Sequence, residues 1–416
     1  MPRRHDIDAL RVLAFALLIL YHAGMLYVAP VADWGFNLKS SHLAEWLQYP
    51  MLFLNRWRME LLFLISGLAV HFLRGHTSLL RLAGKRTWRL KLPLLFGMLV
   101  VVPIQAYVQA RVEHAVAPGF LAFLPYYWTH PYHAYGLTWA HLWYLVYLWW
   151  YTMALIILLP ALESPVGRRL GQAITRLRGG WLLILPALPL LTFGVLLRNY
   201  PETHALIGDW WAHAIYATVF VYGYLIGTDV ALWAEFARLR RCALAFALSC
   251  FAVYLFLDKF AGRMLAQHTL AAWVEPAGVA LWRVTRYLYL WGAIVAVLGW
   301  GHAYLNRPFR WLPYAREAVY PWYVLHQSLL LWFAWLLMPL GLGPVVEPVL
   351  ILVGTLAGCA LLHEAVIRRV RWLRPLFGLA AHALPSSGWA ANLRSGTCAA
   401  ELPGQRGDVQ VVTPEP

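Results

Sequence analysis

Charge is scarce in this 416-residue chain: only 13% of residues are Asp, Glu, Lys or Arg, against 61% hydrophobic residues that include 23 tryptophans. A soluble protein of this size could not hide so much apolar surface in one core, which excludes the ordinary globular class. Acidic residues are scarcer still, 19 against 34 basic ones. Cysteine is nearly missing. Cys242, Cys250, Cys359 and Cys398 form no CxxC pair and no metal-ligand spacing, so neither a disulfide framework nor a metal site is expected. There is also no internal repeat and no second soluble domain, and nothing calls for a bound cofactor.

What is present is a series of apolar runs near the length of a bilayer crossing. Ten spans can be drawn, roughly 9–29, 51–73, 92–110, 139–162, 181–198, 211–229, 242–258, 286–305, 317–338 and 348–367. A secretory signal is the alternative for the first, but the run is longer than a usual signal core and contains Arg11, so an uncleaved helix is expected. Every second connection is basic: Arg3 and Arg4; Arg81, Lys85, Arg86, Arg89 and Lys91; Arg168, Arg169, Arg176 and Arg178; Arg238, Arg240 and Arg241; Arg307, Arg310 and Arg316; then Arg368 to Arg374. By the positive-inside rule this alternation predicts an all-α membrane bundle of about ten transmembrane helices with both termini cytoplasmic. It also accounts for the +15 net charge without nucleic acid. Residues 1–374 read as the membrane domain. The Gly-, Pro-, Ser- and Ala-rich residues 375–416 read as a disordered cytoplasmic tail.

Ionisable groups inside such spans are costly and mark function by default. Arg11 and His22 lie eleven residues apart in one apolar run; eleven steps are roughly three helical turns, so both share a face about 16 Å apart. Histidine titrates near neutrality and suits either a general base for a hydroxyl or a covalent acyl carrier. Glu60, in the second span, falls near the depth of His22, where it could orient the imidazole or pair with Arg56 or Arg58. Ser66-Gly67 reads as a close helix-packing point rather than a nucleophile. Arg86 and Arg89 are three apart before the third span, and their planar forks suit a diphosphate such as that of an acyl-CoA. His141 opens the fourth span. His326 sits inside the ninth, where an unpaired imidazole is expensive, so it is expected to have a partner.

These residues fall into a known pattern. Arg11-x10-His22, Leu62-Phe63-Leu64-Ile65-Ser66-Gly67, Arg86-x-x-Arg89, His141-Leu-Trp-Tyr-Leu145 and Tyr323-x-x-His326 occur in family order. On these motifs the chain resembles the acyltransferase-3 family of integral membrane proteins, over about residues 5–370. Trp34-Gly-Phe-Asn-Leu-Lys-Ser, Arg58-Met-Glu-Leu-Leu-Phe and Pro93-Leu-Leu-Phe-Gly are similar to the glucan biosynthesis protein C branch. The resemblance implies a multi-pass bacterial inner-membrane enzyme moving a succinyl or acetyl group from cytoplasmic acyl-CoA, its co-substrate, to a hydroxyl of a glycan or other envelope molecule. The candidate catalytic residues are then His22, Arg11 and Glu60, with Arg86 and Arg89 for the acyl donor and His141 and His326 as acceptor or orienting groups. The rival reading is a transporter or exporter, because many helices with buried charges also suit a solute path.

Overall fold

The structure, a computed structural model, describes residues 4–29, 35–227, 229–261 and 274–381, and among these it is all helical. The long helices are α1 (His5–Gly24), α2 (Arg58–Arg74), α3 (Leu79–Val112), α4 (Ala140–Leu162), α5 (Gly179–Leu196), α6 (Trp210–Ile226), α7 (Val230–Lys259), α8 (Val274–Leu305), α9 (Leu312–Leu340) and α10 (Gly343–Ile367). Eight of them are long and apolar enough to cross a membrane. α2 and α6, at 17 residues each, lie at the short limit for a crossing. Trp34 and residues 382–416, which hold most of the expected tail, lie outside the described residues.

Helices outrun the apolar spans. α3 begins at Leu79 rather than near 92, and α7 at Val230 rather than near 242. Hydropathy marks only the lipid-facing stretch, whereas Lys, Arg and Leu are good helix formers and carry the helix past it. The basic residues Arg81 to Lys91 therefore sit on a helix and not in a connection. The expected second span is instead broken at Arg56–Trp57, and a short helix, Gln48–Asn55, precedes α2. Phe377, just past the expected boundary at 374, is buried and meets Phe96 of α3 edge-on at 5.1 Å.

Polar anchors fix the ends of α1. Asp6, buried in its first turn, accepts hydrogen bonds from Arg4 at 2.7 and 2.9 Å and contacts His302 of α8 at 2.9 Å. In the middle of α3 the chain loosens into a π-helical segment, Gly97–Val101. Such a segment releases carbonyls from the helical ladder, and within a bilayer they need other donors. Tyr127 donates to Met98 O, Trp128 to Leu99 O and Ser328 to Val101 O, each within 3.1 Å.

α2 and α6 cross at glycine. A Cβ on Gly67 would lie 1.9 Å from the Phe220 carbonyl oxygen, and one on Gly223 would lie 1.9 Å from that of Leu64. Ser66 beside it bonds the Tyr144 hydroxyl at 2.8 Å, in keeping with a packing role. Because backbone faces backbone, neither side can yield. Gly67→Ala should cost about 1–3 kcal/mol or more, read as a lower unfolding temperature in detergent. An unchanged temperature would show that the helices can separate freely.

Candidate active site

The apolar face of α1 brings His22 against α9. His22 Nδ1 lies 2.9 Å from His326 Nε2, and the two rings meet edge to edge, their centroids 5.1 Å apart and their planes parallel to within 4°. The other nitrogen of His326, Nδ1, contacts only the carbonyls of Tyr323 at 2.8 Å and Trp322 at 3.1 Å. A nitrogen facing carbonyl oxygens must donate, so in a neutral ring Nε2 of His326 accepts. His22 then donates from Nδ1, and its own Nε2 keeps the free lone pair. The pairing sets the tautomer that leaves His22 basic at that nitrogen.

His141 stands edge-on to His326, ring centroids 5.3 Å apart. Its Nε2 faces the carbonyls of Tyr323 and Val324, both at 3.1 Å, so it donates there, and its Nδ1 accepts from the Gln105 amide at 2.9 Å. Gln105 donates its second proton to Ser328 at 2.8 Å. Gln105 and Ser328 were not singled out in the sequence. A glutamine in an otherwise apolar span was the available signal.

His22 and His141 line a cavity of about 970 Å³ reached from the ends of α1, α2, α3, α4 and α8. Its walls include Tyr21, Arg58, Gln105, Tyr144, Tyr323 and Gln327, and further out the loop between α5 and α6. In that loop His204 adopts a left-handed backbone at φ 56° and stacks on Trp143 at 3.9 Å. Asp209 holds the loop by accepting the backbone N–H groups of Thr203 and His204. Burial would raise the Glu202 carboxyl, but its bonds to His204 and Tyr216 outweigh that and hold it below the usual carboxylate range. A second, apolar cavity of about 350 Å³ lies between α1, α9 and α10, and this is the one His326 lines.

The arginines gather three helical turns from His22. Arg86 feels the charges of both Arg89 and Arg11, and its Nε and Nη2 are buried without a hydrogen-bond partner. Arg11 approaches Asp8 at 3.9 Å, and Arg316 reaches the same carboxylate at 3.6 Å. Between this basic end and the cavity stand three aromatic rings. Phe15 packs at 5.3 Å on Tyr323 and at 6.5 Å on Tyr144, and Tyr144 interacts electrostatically with Arg11 and Arg86.

Glu60 stands apart from both groups. It is buried, its Oε2 has no partner, it makes no ion pair with Arg56 or Arg58, and it does not line the His22 cavity. The charges that act on it include those of Glu202, Arg286, Arg56 and Arg58. The structure thus joins His22, His326 and His141 in one cluster and Arg11, Arg86 and Arg89 in another. No group of histidine, cysteine or acidic side chains suited to a metal ion occurs among the described residues.

Comparison with known proteins bears on this architecture directly. A family model described as an acyltransferase domain matches residues 4–364. No curated protein and no solved structure matches the chain. The match takes in both clusters and every long helix except the last residues of α10. This chain therefore belongs to the acyltransferase-3 family and is a multi-pass membrane acyltransferase that moves acyl groups other than aminoacyl groups.

Proposed function

We propose that the enzyme moves an acetyl or succinyl group from cytoplasmic acyl-CoA to a hydroxyl of a glycan or other envelope molecule held in the cavity above His22. In this reading ten helices cross a bacterial inner membrane with both termini cytoplasmic. The two 17-residue helices are counted as crossings because every second connection is basic. Arg11, Arg86 and Arg89 then lie at the cytoplasmic end and take the donor's phosphates, for which the unpartnered donors of Arg86 are suited. The motifs similar to the glucan biosynthesis protein C branch support a glycan acceptor and a succinyl donor.

The observation that carries the reading is His22 on the cavity wall with His326 hydrogen-bonded behind it. With Nδ1 committed to His326, Nε2 of His22 takes the proton of the acceptor hydroxyl as its oxygen attacks the thioester carbonyl. The tetrahedral intermediate collapses, the carbon–sulfur bond breaks, and the leaving thiolate receives the proton from His22. One imidazole serves both partners because the cavity runs from the outer rim to His22, so no acyl-histidine is needed. To reach it the pantetheine arm passes Phe15, Tyr144 and Tyr323. Family membership favours transfer over solute export.

His326 acts through His22, and His141 supports the Tyr323 backbone that holds His326. Glu60 is left a minor role, setting the charge balance of the cavity wall through Arg56 and Arg286.

The test is acceptor-dependent thiol release from acetyl- and succinyl-CoA by the purified protein. His22→Ala should lower turnover by about 100-fold or more, the usual scale of a general base, while the protein stays folded. Turnover at the wild-type rate would overturn the reading. His326→Ala should lower kcat at least about tenfold and leave the KM for acyl-CoA unchanged. His326→Gln, which keeps an acceptor for the His22 N–H, should recover part of it. Arg86→Gln should instead raise the KM for acyl-CoA by about tenfold, the loss of one charge-assisted contact. An unchanged KM would remove Arg86 from the donor site.

A further inference from the structure

The cavity above His22 carries more positive charge than acyl transfer to a neutral hydroxyl requires. Arg56, Arg58, Arg198, Arg283 and Arg286 line it, against two carboxylates, Glu202 and Asp258. Both carboxylates are already engaged. Glu202 bonds His204 and Tyr216, and Asp258 accepts from Trp282 Nε1 at 3.1 Å and pairs with Lys259 at 3.4 Å.

Arg56 donates to the Tyr254 hydroxyl at 3.0 Å and Arg198 to the Val195 carbonyl at 3.4 Å, but Arg58 and Arg286 are not engaged in that way. Arg58 is only 2% exposed, its Nε and Nη1 have no hydrogen-bond partner, and its guanidinium lies over the Tyr21 ring at 4.1 Å. Arg286 makes no hydrogen bond or ion pair among the described residues. It rests among the rings of Trp211 at 5.0 Å, Tyr287 at 5.5 Å and Trp282 at 5.6 Å. Arg283 stands one turn before it on the same face of α8. Arg286 feels the Glu202 charge and Arg58 that of Glu60, though neither is ion-paired with it. Cations withdrawn from water without a paired counter-charge are costly, and aromatic faces offset only part of that cost. An anion arriving with the ligand would offset the rest, through the planar forks that suit a carboxylate or phosphate.

We infer that the outward cavity takes an anionic acceptor, a glycan carrying a carboxylate or phosphate, with Arg283 and Arg286 on α8 holding the anion. The donor's own phosphates are taken by the separate cluster of Arg11, Arg86 and Arg89, so they do not account for this charge. Trp282, half-buried on the same wall, offers a ring against which a sugar can lie beside the bound anion. Arg58, deeper and next to His22, adds to the field that draws the acceptor inward. The inference rests on the acyl-transfer reading for what the bound molecule then undergoes, but the anion site itself does not.

The test is equilibrium binding to the full-length protein in lipid nanodiscs. Three oligosaccharides of equal length serve as probes: a neutral glucose oligomer, an oligouronate and a phosphorylated glucose oligomer. One or both charged oligomers should bind at least about tenfold tighter than the neutral one, and the gap should narrow in high salt. Which of them binds identifies carboxylate or phosphate as the preferred anion. Arg286→Gln should erase the discrimination and Arg286→Lys should keep most of it. Arg283→Gln, a more peripheral change, should reduce it if Arg286→Gln fails to fold. Equal binding of all three probes by the wild type, or discrimination that survives both glutamine variants, would overturn the inference. Thiol release measured with the same probes separates the two ideas. Selective binding with no release from any acyl-CoA would contradict acyl transfer and leave the anion site standing.

Discussion

One hydrogen bond, between the imidazoles of His22 and His326, ties the arrangement together. It joins residues 304 positions apart on α1 and α9, in a bundle whose surroundings offer no water to compensate an unmade contact. Because His326 must donate to the Tyr323 and Trp322 carbonyls, its remaining nitrogen can only accept. The tautomer of His22 follows, and with it the lone pair available for chemistry. The same Tyr323 carbonyl and that of Val324 receive His141, whose partner Gln105 leads through Ser328 to the loosened turn of α3. The π-helical segment thus supplies a carbonyl that completes the polar chain behind the base.

The bundle keeps its two kinds of polar surface apart. Arginines without adequate counter-charge gather at one end of α1, and the histidines and open cavity lie three turns away. Phe15, Tyr144 and Tyr323 fill the space between. In the proposed reaction the pantetheine arm has to pass between these rings to reach His22. Close packing at Gly67 and Gly223 holds together α2 and α6, two of the helices whose residues line the cavity.

Much of this was legible in the amino-acid sequence, and the parts that were not share a cause. Helical periodicity put Arg11 and His22 on one face, and the scarcity of charge marked both. Hydropathy found the eight helices long and apolar enough to cross a membrane but not their ends, since α3 and α7 extend through basic residues that favour helix about as well as leucine does. Depth along a span suggested that Glu60 lay beside His22, yet depth says nothing of azimuth, and Glu60 points to a different wall. Sequence also showed that His326 needed a partner without showing which one. The roles of Gln105, Ser328 and Arg58 became visible only once the packed faces were known, because a polar residue in an apolar run signals cost but not its neighbour.

The central claim is that the acyl group enters from one face and is received at the other, with His22 between. It is tested most directly in sealed proteoliposomes of uniform orientation, with radiolabelled acyl-CoA confined to the side of Arg11, Arg86 and Arg89 and a glycan acceptor confined to the side of the cavity. The account predicts labelled ester on the glycan and an equal quantity of free CoA on the donor side. Transfer only when donor and acceptor share one face would contradict it, as would passage of unmodified glycan across the bilayer with no CoA released.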